Sequence, residues 1–217
     1  MKQIIAIFLL LALNLMPSLV NAGAIDQAVQ KIESQWAHIY YNVAKEQQEA
    51  AYKRLLAEVK ALKSQHPDQA ELIIQQAIIV ASNADNIDAF SALGAVNQAR
   101  ELLIRAIRLD PNASGGAAFV TLGSLYYMVP GWPIAYGDTN KADALLKKAL
   151  AINPNTIDAN YFYGDFLAMQ GKQKQAVSYF KRAMAIPVRK NQEFADSQLH
   201  KQAKLAIIEN NQFVAAN

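Results

Sequence analysis

The sequence predicts an all-α protein in which pairs of helices repeat along the chain. One pattern occurs three times: an alanine, a Leu or Phe four residues later, an alanine three residues after that, and a proline four or five residues further on. These steps place the side chains on one helical face, and the proline ends the helix because it lacks a backbone N–H. No segment of useful length alternates polar and apolar residues as a strand would. The three copies are Ala99, Leu103, Ala106 and Pro111; Ala142, Leu146, Ala149 and Pro154; and Ala176, Phe180, Ala183 and Pro187.

The composition permits a sizeable core and excludes two kinds of site. The chain has 217 residues, of which 53% are hydrophobic, and it contains no cysteine. Disulfides and thiolate metal sites are therefore impossible. The formal net charge is only +3, and basic residues are mixed with acidic ones. This mixture is typical of an ordinary solvated surface and gives no reason to expect nucleic-acid binding.

Residues 1–22 have the pattern of a secretory signal peptide. Lys2 is followed by the uninterrupted apolar run 4–13, and Ala22 offers a small residue before a cleavage point at Gly23. The alternative is an uncleaved anchor helix, but the apolar segment is shorter than the roughly 20 residues that a span needs. We therefore expect cleavage after Ala22, a periplasmic or secreted location, and no stable membrane span in the mature chain.

The helix-forming segments follow one another with recognisable interruptions. The segment 25–62 is predicted as one long helix or as two helices broken near Glu46, within an N-terminal helical region 23–66. Asp68 or one of its neighbours, with Glu71 three residues later, is expected to cap the next helix, and Thr139 is expected to cap a later one. The further predicted helices span 69–82, 95–109, 117–128, 140–152, 157–170, 173–186 and 191–209, the last one covering the open end of the stack within a C-terminal region 188–217.

Two stretches are expected to be irregular insertions inside the first two helix pairs. The stretch 83–94 contains two Asn, two Asp and Gly94, and the stretch 129–138 contains two prolines and two glycines. The repeat-ending prolines show the same insertions, because Pro67, Pro111, Pro154 and Pro187 are separated by 44, 43 and 33 residues.

The third unit resembles the tetratricopeptide repeat most closely. It has Gly164 as the small residue of its first helix, Gly171 at the turn, and then Ala176, Phe180 and Ala183. The family period is 34 residues, so the first two units carry about ten extra residues each. The resemblance covers roughly 45–187, with three units in 67–187. It implies a right-handed α-solenoid of helix-turn-helix repeats with a C-terminal capping helix.

The sequence contains none of the common catalytic motifs. The three histidines lie far apart in sequence, and none has a metal-binding partner at helical spacing. There is no nucleophile elbow, phosphate loop or dinucleotide fingerprint. We therefore predict a protein that is not an enzyme and that has no cofactor and no metal site.

The insertion around Pro130-Gly131-Trp132-Pro133 allows two interpretations. The favoured one is that Trp132 and Ile134 fold back and fill the gap between neighbouring units, since large aromatic residues usually bury. The other is that the prolines hold a rigid loop that presents Trp132 and Tyr136 to a peptide or a small apolar ligand.

The resemblance also implies a ligand groove lined by the first helix of each unit. The candidate partner-binding positions there are Tyr127 in the second unit and Asp158, Tyr161 and Asp165 in the third. Tyr161 and Tyr163 fall on different faces, so at most one of them lines the groove. The groove lacks the Lys, Arg and Asn clamp of carboxylate-binding family members, which argues against capture of an acidic C-terminus. Further positions are Glu71, Ile74, Val120 and Ser124, for which ordinary packing is an equal interpretation.

These observations lead to one functional hypothesis and one alternative. The hypothesis is a non-catalytic helical-repeat scaffold or adaptor of the bacterial envelope that binds a protein or peptide. The alternative is a ligand-handling accessory of a solute uptake system, similar in architecture to the tetratricopeptide-like T components of TRAP-type transporters.

Overall fold

Pairs of antiparallel helices stack along the chain, as the sequence predicted. The computed structural model describes residues 18–216, and the side chains of residues 23–215. Within these residues every long element is an α-helix, and the all-α repeat fold is confirmed. The helices are α1 (Ser18–Asn42), α2 (Lys45–Gln65), α3 (Ala70–Asn83), α4 (Ala89–Leu109), α5 (Ala117–Met128), α6 (Thr139–Ile152), α7 (Ile157–Met169), α8 (Gln173–Ala185) and α9 (Glu193–Ala216).

Three helix pairs form the body of the stack. They are α3 with α4, α5 with α6, and α7 with α8. Between pairs, α4 packs on α5 and α6 packs on α7. Helix α9 packs mainly on α8 and so covers the end of the stack, while α2 packs on α3 at the other end. We call α3, α5 and α7 the first helices, and α4, α6 and α8 the second helices.

The repeated small and large residues form the contact inside each pair. A Cβ atom placed on Gly164 would lie 2.9 Å from the ring of Phe180, and one placed on Gly123 would lie 2.8 Å from Cγ of Leu146. The large side chain of the second helix therefore fills a space that only glycine leaves open on the first helix. The remaining repeat positions are at most 1% exposed: Ala99, Leu103, Ala106, Ala142, Ala149, Ala176 and Ala183.

The first insertion is mostly helical, which corrects the expected irregular stretch 83–94. A short 3-10 turn covers Ala84–Asn86, and α4 begins at Ala89, so Gly94 lies inside the helix. The reason is Asp88, whose carboxylate accepts hydrogen bonds from the backbone N–H groups of Phe90 and Ser91. This is an N-cap, and it starts the helix more than one turn before the position we expected.

Two predicted caps are also corrected. Thr139 is the first residue of α6, and Asp138 caps the helix by accepting from the N–H groups of Asn140 and Lys141. Asp68 does not cap α3, because the N-cap residue is Gln69 and it makes no side-chain capping bond. The carboxylate of Asp68 instead accepts a hydrogen bond from Arg105.

The N-terminal region contains two helices and not one, with the break at Val43 and Ala44. Of the predicted signal peptide 1–22, residues 1–17 lie outside the described residues, and the predicted cleavage point after Ala22 lies within α1. Signal cleavage therefore stays a prediction. Among residues 18–216 no helix combines the length and the apolar character that a membrane span requires.

Candidate functional site

The connection 129–138 between α5 and α6, which we call the Trp132 loop, is closed on itself by backbone hydrogen bonds. The N–H of Gly137 donates to the carbonyl of Pro130 at 2.9 Å, and the N–H of Asp138 donates to the carbonyl of Tyr126 at 2.8 Å. A Cβ atom on Gly137 would lie 2.3 Å from the carbonyl oxygen of Val129. The two ends of the loop approach so closely that only glycine fits at this position.

Tyr136 anchors the Trp132 loop to α4. Its hydroxyl donates to the carbonyl oxygen of Val96 at 2.9 Å, and the guanidinium of Arg100 lies 4.5 Å from the centre of its ring. The ring of Tyr126 meets it edge-on at 5.3 Å. Burial raises the pKa of the Tyr136 hydroxyl above its ordinary value, although the charge of Arg100 opposes the shift. Tyr136 is therefore a packing residue and not a free contact for a ligand.

Trp132 points away from the protein at the tip of this anchored loop. Its exposed fraction is 89%, and that of Ile134 is 64%. The interpretation of these residues as a buried plug is therefore wrong. Tyr136 already occupies the space against α4, and the short closed loop leaves Trp132 and Ile134 on the outside. A further aromatic side chain, that of Phe90 in the first turn of α4, is 87% exposed at the same edge of the stack, where first helices end and second helices begin.

A second region lies on the first helices, on the side that carries Tyr127, Asp158, Tyr161 and Asp165; we call it the inner face. The hydroxyl of Tyr127 on α5 donates to Oδ2 of Asp165 on α7 at 2.7 Å. Burial raises the pKa of the Asp165 carboxyl, and this hydrogen bond partly offsets the rise. Burial and the carboxylate of Asp165 together raise the pKa of Tyr127. These two candidates thus bond to each other across neighbouring pairs.

The two tyrosines near the start of α7 diverge, as the helical spacing required. The ring of Tyr161 lies 5.6 Å from that of Phe180. The hydroxyl of Tyr163 donates to Asp143, and its ring meets that of Tyr179. Burial and the carboxylate of Asp165 raise the pKa of Tyr161, so of the two tyrosines Tyr161 is the one beside Asp165 on the inner face.

Asp158 lies at the edge of the inner face, in a cleft of about 680 Å³. Arg189 is 3.7 Å away but makes its closest bonds, at 2.7 Å and 3.0 Å, to the carboxylate of Asp196. The side chain of Asp158 is 42% exposed, yet the walls of the cleft surround it. This enclosure raises the pKa of its carboxyl, against the lowering effect of Arg189. The cleft is lined by Ser114, Gly115, Asn153, Asn155, Thr156, Ile157, Ala185, Ile186, Pro187 and Arg189 in addition to Asp158.

Helix α1 lies across this region, which the sequence did not reveal. The indole N–H of Trp36 donates to Oγ of Ser82 on α3 at 2.8 Å, and the side chain of Gln75, also on α3, donates to Glu33. Glu33 accepts a second hydrogen bond from Gln192, directly before α9. Helix α1 therefore connects the first pair of the stack with its last helix.

The end of α1 approaches the candidate residues of α7. The ring of Tyr41 meets that of Phe194 at 6.1 Å. Burial raises the pKa of Tyr41, and the nearby Tyr161 and Asp158 raise it further. The inner face is thus partly covered by the chain itself and is not an open groove.

The remaining groove candidates belong mainly to the core. Ile74 and Val120 are buried within the apolar clusters between pairs, which is the packing interpretation. Among the described residues no group of three His, Cys, Asp or Glu side chains is arranged to hold a metal ion.

Comparison with known proteins shows the fold. No family model matches the chain, and no curated protein matches it. Among solved structures it is similar to TTC0263, a thermophilic tetratricopeptide-repeat protein of Thermus thermophilus, with 18% identity, 88% of this chain and 94% of that chain covered, and a TM-score of 0.57. The structure of MamA covers 80% of this chain and 96% of its own at 18% identity, with a TM-score of 0.45. The chain therefore has a tetratricopeptide-repeat fold.

Proposed function

We propose that this protein is a non-catalytic scaffold of the bacterial envelope that binds a protein or peptide partner through the Trp132 loop. The observation that carries the proposal is the 89% exposure of Trp132 on a loop whose backbone and Tyr136 are fixed. The fold supports it, because a stack of helix pairs offers an extended surface rather than a single catalytic cavity.

The rigidity of the Trp132 loop lowers the entropic cost of binding a partner. Burying an exposed indole against a partner gains a large apolar area, and tryptophan is enriched among the residues that dominate binding energy. A loop that is already held in its bound shape loses little conformational entropy on association. The Trp132 loop meets this condition through Gly137 and Tyr136. The exposed Ile134 adds apolar surface within the loop, and the exposed Phe90 lies at the same edge of the stack.

The envelope location rests on the sequence of residues 1–22. The basic residue, the apolar run and the small residue at the cleavage point are features of a secretory signal. Detection of the mature chain, beginning at Gly23, in a periplasmic or secreted fraction would support this part of the proposal, and a full-length chain in the cytoplasm would contradict it.

The partner contact is tested with Trp132→Ala. Because the side chain is almost fully exposed, we expect a change in unfolding free energy within about 0.5 kcal/mol, together with a loss of partner affinity of about 2 kcal/mol or more, which is roughly 30-fold. A photo-crosslinking residue at position 132 should identify the partner in intact cells, and calorimetry with that partner should measure the affinity.

Leu205→Ala is the matched control. Leu205 is an exposed apolar residue on α9, away from the Trp132 loop, and its truncation should leave the affinity unchanged. An equal loss of partner affinity in Trp132→Ala and Leu205→Ala would contradict docking through the loop. So would an unchanged affinity in Trp132→Ala. Turnover of a small substrate by the purified chain would contradict the non-catalytic role.

The solute-uptake alternative makes a different prediction. It requires an enclosed apolar channel, whereas the cleft beside Asp158 is lined in part by Asn, Thr, Asp and Arg side chains. A small molecule that co-purifies with the chain and is released on denaturation would favour this alternative over the scaffold.

A further inference from the structure

The connection between α1 and α2 lacks the residues that usually break a helix. Helix α1 ends at Asn42, α2 begins at Lys45, and the two residues between them are Val43 and Ala44. Neither is glycine or proline. Ala44 occupies the N-cap position in an extended conformation and provides no side-chain cap. Alanine is among the poorest N-cap residues, so the local sequence does not impose the break.

The turn is held by the side chain of Gln48 and by a backbone bond from the N–H of Gln47 to the carbonyl of Ala44, and a continuous helix would replace these bonds. The side-chain amide of Gln48 donates to the carbonyl oxygens of Val43 and Tyr40, at 3.0 and 3.4 Å. In an uninterrupted helix these two carbonyls would accept the backbone N–H groups four residues later, those of Gln47 and Ala44. Straightening the connection therefore exchanges hydrogen bonds without leaving carbonyls unsatisfied.

The apolar side of α1 must nevertheless remain covered. Its residues Ile25, Val29, Ile32, Ala37 and Ile39 are all buried, and four of them share one apolar cluster with residues of α2 and α3. A helix that simply detached would expose this whole stripe to water, which is strongly unfavourable. The stripe stays covered if α1 docks on the same surface of another molecule.

We propose that α1 exchanges between two copies of this chain. In the exchanged form α1 and α2 are one helix about 70 Å long, and the α1 of each copy lies across α3 and the start of α9 of the other. All contacts of Trp36, Glu33 and Tyr41 with α3, Gln192 and Phe194 are then formed between copies. Exchange of an identical element is a low-cost route to a dimer. This inference is independent of the Trp132 loop.

The double substitution Val43→Leu, Gln48→Ala is the strongest test. It raises the helix propensity of the connection and removes the side-chain bonds of Gln48, while α1 keeps its rotation relative to α2. We expect light scattering after gel filtration to show a larger dimer fraction of this variant than of the wild type at the same concentration, with the helix content of the wild type. A variant that stays a folded monomer at every concentration would overturn the proposal.

Two substitutions shift the equilibrium in opposite directions. Gln48→Ala removes the side-chain bonds of Gln48 to the turn. The loss of one hydrogen bond of ordinary strength should raise the association constant of the exchanged dimer roughly fivefold for each chain and roughly 25-fold for the pair. Ala44→Asp supplies the missing N-cap and should disfavour the dimer by a similar factor. Gln47→Ala is the control, because Gln47 is an exposed neighbour on the same helix. Equal dimer dissociation constants in Gln48→Ala and Gln47→Ala would contradict the proposed hinge.

The absence of cysteine in the chain permits a direct measurement of exchange. One batch carries Lys31→Cys on α1 with a donor dye, and a second batch carries Lys201→Cys on α9 with an acceptor; both lysines are exposed. Energy transfer should develop in the mixed sample on incubation, faster in the Gln48→Ala background than in the Gln47→Ala background. A dimer without transfer between batches would have another interface and would overturn the exchange.

Discussion

The connections inside the first and second helix pairs carry insertions of similar length, yet they fold differently. The prolines that end the units are 44 and 43 residues apart, against 33 for the third unit. In the first pair the extra residues lengthen α4, which begins at Ala89. In the second pair they form the Trp132 loop, and α6 begins only at Thr139.

The difference comes from the residue types and not from the length. The first insertion has a capping aspartate, Asp88, followed by residues that a helix accepts. The second has Pro130 and Pro133, which cannot donate backbone hydrogen bonds, and two glycines that let its ends meet. The third pair has no insertion, and Gly171 alone makes its turn at φ +72°. Where the fold tolerates additional length, the chain can therefore either extend a helix or build an exposed loop.

Of the substitutions in the two connections, Gly137→Ala should cause the largest loss of stability. The added Cβ would lie 2.3 Å from the Val129 carbonyl oxygen and 2.8 Å from that of Pro130, and backbone atoms cannot move aside as a side-chain end can. We expect destabilisation by about 2–3 kcal/mol, measured by urea unfolding, and weaker partner binding because the loop loses its shape.

Gly131→Ala is the matched control for this substitution. The Cβ atom there would lie 3.6 Å from the Gly137 carbonyl oxygen, which is an ordinary contact. If the two variants unfold at the same urea concentration, the close approach at Gly137 does not determine the shape of the loop.

The repeat architecture was predictable because it depends on residues with strong local effects. The prolines end helices, and the two alanines of each copy, with a Leu or Phe between them at steps of four and three, occupy the helix-helix contacts, where they are buried. Helix α5 was predicted with its observed ends, since the Gly pair before it and the Pro-Gly segment after it both interrupt a helix. The anchoring role of Tyr136 was missed, because its partner Val96 is 40 residues away and offers only a backbone carbonyl.

A break near Glu46 was one of two alternatives that the sequence offered, and it lies at Val43 and Ala44. The path of α1 was not predictable, for a reason related to that for Tyr136. Trp36 lies in a helix-forming segment, but its partner Ser82 lies 46 residues away on another helix. Glu33 carried no local signal, because its partners Gln75 and Gln192 come from opposite ends of the stack. Contacts of this kind follow from the curvature of the assembled repeats, which short-range patterns do not encode.

Tyr136→Phe should have an intermediate effect on the second connection. It removes the hydroxyl that donates to the Val96 carbonyl and keeps the ring under Arg100. We expect a loss of about 1 kcal/mol, the value of an ordinary hydrogen bond, measured by urea unfolding. Trp132 fluorescence, compared in a background without Trp36, should report a more mobile loop.

Tyr126→Phe provides the comparison for this variant. Tyr126 packs against the same ring, but its contacts with Tyr136 and Lys141 use the ring face or edge and not the hydroxyl. Its unfolding free energy should stay within about 0.5 kcal/mol of the wild type. A larger loss in Tyr126→Phe than in Tyr136→Phe would show that the anchor is misassigned.

Gly94→Ala should have the smallest effect, with the opposite sign, and it tests the first connection directly. Gly94 lies on the exposed side of α4, and a Cβ atom there would meet nothing within 4 Å. Alanine in an exposed helix interior is favoured over glycine by up to about 1 kcal/mol, so urea unfolding should show a stabilisation of about 0.5–1 kcal/mol. Gly164→Ala, also in a helix, should instead destabilise by about 1–3 kcal/mol, because its Cβ would meet the ring of Phe180. If Gly94→Ala is neutral or destabilising while Gly164→Ala behaves as expected, the first insertion is not helical in solution, and both insertions then form loops.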